Sequence, residues 1–377
     1  MTLIRSVAVS AAFATVAAMG TANAEEEKTP FVSGEISIEI ENDWTHHSED
    51  PANELNDLFA TVEPSIKFRL LPGLTLHVAG TMEPVRDPGP SDDRVFEDHG
   101  LYLSDLLLEF ERPFYRAGGT TYSVAVYGGK FTPNFGIAWD RAPGVFGTDL
   151  TEDYELAERL GVGGRLTLAN ERFGSHAFSL NSYFVDTFLD SSAITSRGTT
   201  ELADGGVGNT EDLSSFTFAI DGADMPAFPG FSYHLGFVRQ AAADVPDVAT
   251  GTGTTAEHGF AIAGEQMFHI GPDGAIEVVP LMEFAHFGNA EGMPGQDRSY
   301  LTMAVGAAWD HWNAAVVYTN RKTNAAGSPD VDDNLYQLSI GYVFDFGLAI
   351  DVGYKISEVA DVTSQTLGIV AGYVIEF

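Results

Sequence analysis

The chain has 377 residues and a formal net charge of −35, from 54 acidic against 19 basic side chains, with no cysteine. Such a balance excludes a basic nucleic-acid surface, and the missing thiols suit an oxidising compartment while excluding a disulfide framework. Forty Gly, 26 Phe and 13 Tyr are high for an ordinary soluble domain and suit a strand wall with aromatic rims and tight turns.

The chain opens with Arg5, an apolar run of small residues from Val7 to Met19, and Thr21-Ala22-Asn23-Ala24. A positive region, a short apolar core and an Ala-x-Ala site predict a signal peptide over 1–24, followed by one domain over 25–377. No later window holds the ~18 consecutive apolar residues of a membrane helix.

Period-two alternation between turn residues predicts sixteen strands: 31–44, 57–70, 74–86, 101–112, 120–131, 159–170, 175–188, 214–221, 229–241, 256–269, 275–287, 299–309, 312–323, 334–344, 348–358 and 364–377. Connections after even-numbered strands are short, such as Leu71-Pro72-Gly73 and Asp345-Phe346-Gly347. Those after odd-numbered strands are long and polar: 45–56, 87–100, 132–158, 189–213, 242–255, 288–298 and 324–333. Nearly every strand has one apolar face and one polar or small face. Two packed sheets could not hide that many apolar faces, and a bilayer tolerates no sheet edge. The expected fold class is all-β, a transmembrane antiparallel up-and-down β-barrel of about 16 strands with short turns at one end and long loops at the other.

The third long loop, 132–158, carries Asp140, Asp149, Glu152, Asp153, Glu155 and Glu158, relieved only by Arg141. It also carries Phe135, Trp139, Val145, Phe146 and Leu150, for which a solvated loop has little use. An inward fold is therefore expected, making 132–158 a candidate constriction whose carboxylates lower the energy of cations. A solvated external loop made polar by its acids is the plainer alternative.

Alternation turns Lys67, Arg69, Arg165, Arg321 and Lys355 inward; Lys130 is ambiguous because Gly128-Gly129 can form a bulge. Inward acids are more numerous: Glu39, Glu63, Glu83, Asp105, Glu109, Asp221, Glu265, Glu277, Glu283 and Asp351. Small inward residues (Gly353, Gly368, Gly372, Ala349) point to an open interior. No metal or cofactor is expected: His46-His47 lacks companion ligands, and Asp92-Asp93, Asp330 and Asp332-Asp333 lack the rest of a calcium loop.

In the last strand Leu367, Ile369, Ala371, Tyr373, Ile375 and Phe377 alternate with Thr366, Gly368, Val370, Gly372, Val374 and Glu376. An aromatic last residue behind alternating apolar positions resembles the assembly signal of outer-membrane barrels, which assigns Tyr373, Ile375 and Phe377 to the barrel-assembly machinery. Pro133-Asn134-Phe135-Gly136 resembles the Pro-Glu-Phe-Gly opening of the third loop in general porins. The run from Gly129-Lys130-Phe131 to Phe135-Gly136 is similar, with shifted spacing, to Gly-Lys-Phe-x-x-Pro-Phe-Gly of phosphate-selective porins.

Across its length after residue 24 the chain thus resembles the sixteen-stranded porins of the Gram-negative outer membrane. The resemblance implies a non-enzymatic, water-filled channel for small hydrophilic solutes and ions, a homotrimer, and lipopolysaccharide and outer-membrane lipid as surroundings. General porins oppose the loop with an arginine ladder; here the inward bases are scattered, so cation preference is expected. The alternatives are a channel specific for an oligosaccharide or an anion such as phosphate, and a structural, adhesive or enzymatic barrel.

Overall fold

The computed structural model describes residues 30–189, 200–244, 254–325 and 327–377. The expected signal peptide lies outside them, as do parts of the fourth and fifth long loops.

Sixteen strands form the wall: β1 (Val32–Ser48), β2 (Leu55–Leu71), β3 (Leu74–Pro84), β4 (His99–Ala117), β5 (Thr120–Phe131), β6 (Arg159–Asn170), β7 (Gly174–Val185), β8 (Ser215–Ala223), β9 (Phe231–Gln240), β10 (Glu257–Gln266), β11 (Ile276–Gly288), β12 (Gln296–Trp309), β13 (Trp312–Ala325), β14 (Val331–Val343), β15 (Ala349–Val359) and β16 (Val362–Glu376). Phe268–Ile270 continues β10 along β11, and Arg94–Val95 adds a short parallel rung to β2. Wall neighbours are antiparallel, and β1 closes on β16, where Gly34 and Phe377 exchange both backbone hydrogen bonds at 3.0 Å.

Each expected strand is present, and several run further than alternation suggested. The strand expected over 101–112 continues as β4 to Ala117, because a register shift between Pro113 and Tyr115 accommodates the proline's missing donor. The first, sixth and seventh long loops shrink accordingly to 49–54, 289–295 and 326–330. Polar strand ends hide alternation but still ladder.

The wall sorts its side chains by parity. Tyr336, Leu338 and Ile340 on β14, Ile350 and Val352 on β15, and Ile369 and Ile375 on β16 are exposed apolar residues on the outside. Their ladder partners' intervening residues, such as Ser339, Gln337 and Thr366, are buried on the inside. A closed ring with an apolar exterior requires lipid around it. No helix among the described residues is long and apolar enough to cross a membrane, so crossing falls to the strands. At the short-turn rim Trp309 stacks on Trp312 at 6.5 Å, and Tyr342, Phe344 and Phe346 extend the aromatic girdle.

Candidate functional site

Loop 132–158 enters the barrel. Its direction is set at the end of β5 by Gly129, whose φ of +139° breaks the alternation; a Cβ there would lie 2.0 Å from the Leu106 carbonyl oxygen. The break turns Lys130 into the interior, where it is fully buried beside Asp186 at 3.0 Å and Glu158 at 3.6 Å. The ambiguity left by the Gly128-Gly129 pair resolves inward for this physical reason.

The loop's first residues meet a row of acceptors on β8, β9 and β11. Asn134 donates to Asp221 at 2.8 Å, and the Gly136 amide donates to His234 Nε2 at 3.0 Å. Asp221 in turn holds His234 Nδ1 at 2.7 Å. Glu283, 1% exposed, accepts the Ile137 amide at 2.6 Å, the Ala138 amide at 3.1 Å and the Tyr154 hydroxyl. A buried carboxylate survives only with such partners, and each hydrogen bond to a charged group contributes about 1.5–3 kcal/mol. Around them Phe135, Tyr154, Phe287 and Tyr300 pack edge to face, joining the loop to β11 and β12.

Further along, Arg141 pairs with Glu265 at 2.7 Å, and Gln337 donates to the Pro143 carbonyl at 2.9 Å. The loop then reaches β15 and β16, where Val145 and Phe146 pack on Val370. Their seat is made by two glycines: a Cβ on Gly353 would lie 2.6 Å from Val145, and one on Gly368 would lie 2.5 Å from Phe146. These small residues therefore do not mark open space, as the sequence suggested; the loop fills it. Replacing Gly353 by leucine should overpack the seat and weaken loop docking by about 1–3 kcal/mol. Limited proteolysis would show new cleavage within 132–158 while the barrel's melting stays unchanged.

The six predicted loop carboxylates divide by partner. Asp149 pairs with Lys355 at 2.6 Å, Asp153 with Arg321 at 2.6 Å, and Glu158 lies against Lys130. Lys355 also sits 4.2 Å above the Phe146 ring, and Tyr300 donates to Asp153 at 3.0 Å. Thr148 donates to Glu152 at 2.7 Å, Glu155 is half-buried, and Asp140 is exposed. Three of the scattered inward bases thus hold the loop instead of opposing it. Burial, then repulsion by Glu152 and Asp140, pushes the Glu155 carboxyl up to about 8, against a smaller pull from Arg159.

Most of the loop's attachments lie on β8 to β16; its root is held at Lys130, and Tyr183 of β7 joins the cluster of Phe135 and Tyr154. The remaining inner wall, β1 to β7, carries the other predicted groups. Lys67 and Arg69 are exposed near the short-turn end, and Arg165 pairs with Glu111 at 3.0 Å. Nearer the loop end, Glu39, Glu83 and Glu35 surround Glu63, and Tyr102 donates to Glu83. Register makes the cluster: Glu39 faces Thr61 and Ser37 faces Glu63, so the two carboxylates are diagonal neighbours. Sequence reasoning found Glu39, Glu63 and Glu83 singly but not their grouping, and it missed Glu35, Glu41, Asp57 and Glu257. The weaker acid clusters have local partners: Asp333 holds Arg321 at 2.8 Å, Asp330 lies 3.5 Å from Lys322, and Asp93 accepts the Asn56 amide at 2.8 Å.

No family model and no curated protein matches the sequence. Solved structures do match. OmpF of Salmonella typhi, determined in complex with daunomycin, is 11% identical with a TM-score of 0.57, covering 91% of this chain and 97% of its own. A loop L8 deletion mutant of OmpT, an outer membrane protein of Vibrio cholerae, is 14% identical with a TM-score of 0.51, covering 91% and 98%. The likeness is one of fold, and that fold is the sixteen-stranded barrel expected from the resemblance to porins.

Proposed function

We propose that the chain is a porin of the Gram-negative outer membrane: a water-filled, cation-preferring channel for passive diffusion of small hydrophilic solutes and ions. One observation carries this reading. A closed sixteen-stranded barrel holds an internal loop mainly against β8 to β16, while the facing wall of β1 to β3 carries Glu39, Glu63 and Glu83, and we read the interior between them as the path. A ring of carboxylates at a narrow passage attracts cations and repels anions. A homotrimeric assembly, insertion through Tyr373, Ile375 and Phe377 by the barrel-assembly machinery, and lipopolysaccharide as neighbour belong to the same reading. The resemblance of the loop opening and the last strand supports them.

The direct test is single-channel conductance in a planar bilayer under a KCl gradient. Stepwise conductance with a reversal potential favouring potassium is expected. A silent bilayer would end the porin reading, and a chloride-favouring potential would end cation preference alone.

The selectivity should also depend on pH. With its pKa raised above the ordinary 4.5 to about 8, Glu155 keeps its proton in the docked loop where the released loop would lose it. Docking therefore weakens as pH rises from about 4.5 to about 8, and the path gains a negative charge through the upper end of that window. Cation preference should rise between about pH 6 and about pH 9, and Glu155→Gln should flatten the rise.

A further inference from the structure

We infer that the root of loop 132–158, where Arg159 of β6 meets Tyr183 of β7 and Glu257 of β10, is a binding site for a small zwitterionic solute of the α-amino-acid class. The inference deepens the channel reading above and rests on it for the route by which the solute arrives. Register assembles the floor. Arg159 stands opposite Val185 and Gly161 opposite Tyr183, so guanidinium and phenol occupy successive inward positions on neighbouring strands. Gly161 permits the close approach of the two strands there, since a Cβ on it would lie 2.8 Å from the Cα and Cβ of Tyr183. Glu257 comes from the far side, fixed by Gln240 Nε2 at 2.8 Å and by the Glu291 amide at 2.6 Å. Arg159 and Tyr183 both lie in its field, and Arg159 lies in that of Glu155 as well.

Unmet bonding capacity sets this group apart. Tyr183 is 0% exposed, and its hydroxyl, the Arg159 Nε and the Glu155 Oε2 are buried atoms with no hydrogen-bond partner among the described residues. Buried donors and acceptors are costly until a partner meets them. Lys130, Arg141, Arg321 and Lys355 along the same loop each hold a carboxylate, whereas the acids around Arg159 stand off without direct contact. The signs decide the ligand. A simple anion would meet the fields of Glu257 and Glu158, and a simple cation that of Arg159. A solute with both charges on one carbon presents its carboxylate to the guanidinium fork and the Tyr183 hydroxyl. Its ammonium then faces Glu257 and the free Glu155 oxygen. Arg159 and Glu155 are half-buried while Tyr183 and Glu257 are buried, so the group is open on the loop side and closed behind.

The test uses the full barrel in detergent micelles, titrated with L-alanine and followed by saturation-transfer NMR of the amino acid. Saturable binding is expected, with acetate and methylammonium each about tenfold weaker or worse. Tyr183→Phe keeps the ring and removes only the hydroxyl; it should weaken alanine about tenfold. Arg159→Gln should abolish binding, and Arg116→Gln, at the short-turn rim, should retain it. Protease protection of 132–158, measured on the same samples, separates lost binding from a displaced loop. No saturable binding to the unaltered barrel, or undiminished affinity in the Tyr183 variant, would overturn the site. Acetate binding as well as alanine would overturn the zwitterion as its ligand. Binding in micelles requires no ion flow, so a silent bilayer with intact alanine binding ends the porin reading alone. A conducting barrel that ignores alanine ends this inference alone.

Discussion

Glu283→Ala should free the loop from the wall and give a larger, noisier conductance, with protease-sensitive sites appearing in 132–158. The carboxylate accepts the Ile137 and Ala138 amides and the Tyr154 hydroxyl at a point that is 1% exposed. Its removal strands three buried donors at once and takes away the neighbour of the His234–Asp221 pair. Breaking a buried charged network of this kind costs about 3–5 kcal/mol, comparable to everything the Val145 and Phe146 seat supplies at about 1.5–3 kcal/mol per side chain. The strand ladders are untouched, so the barrel should melt as before. Glu283→Gln keeps an acceptor and should fall between. An Ala variant with ordinary conductance and a protected loop would remove Glu283 from the anchoring role.

The second large effect concerns charge. Changing Glu39, Glu63 and Glu83 together to glutamine should move the reversal potential under a KCl gradient toward zero. Glu39 and Glu83 crowd Glu63, so three carboxyl groups are concentrated there. Low-dielectric walls focus such a field, and its loss is felt most at low ionic strength. The change should also stabilise the wall slightly, since diagonal like charges cost about 0.2–1 kcal/mol per pair. An unchanged potential would show that selection happens elsewhere. Neutralising Asp149 and Asp153 is a different experiment: it strips partners from Lys355 and Arg321, so it unpins the loop while adding positive charge.

The strands were legible because their signal is local. Leu338 and Ser339 announce opposite faces as sequence neighbours, whatever the rest of the chain does. The inward fold of 132–158 was legible from Phe135, Phe146 and Leu150, apolar residues with nowhere else to go. What could not be read was pairing across the interior. Asp149 and Lys355 are 206 residues apart, and no periodicity links them. The same distance hid the use of Gly353 and Gly368, which as isolated small residues looked like empty space. Lys130 was legible only as a question, because a single glycine torsion decides its face. Glu283 and His234 had a weak signal: an acid and an imidazole at inward positions between apolar or small neighbours (Leu281 and Ala285, Gly236 and Val238), where buried polar groups must have partners.

The loop's attachments also fix an order of events. Its more distant partners begin 87 residues later at Asp221, continue through Glu283 at 146 and Arg321 at 168, and end with Lys355 and Val370. While the chain before Ser215 has formed its strands, the loop has almost nothing to hold. Closure of long segments is entropically slow, so the wall must be nearly complete before the loop can settle. The barrel is therefore widest during its own construction, and it becomes a selective passage only as its final act of folding.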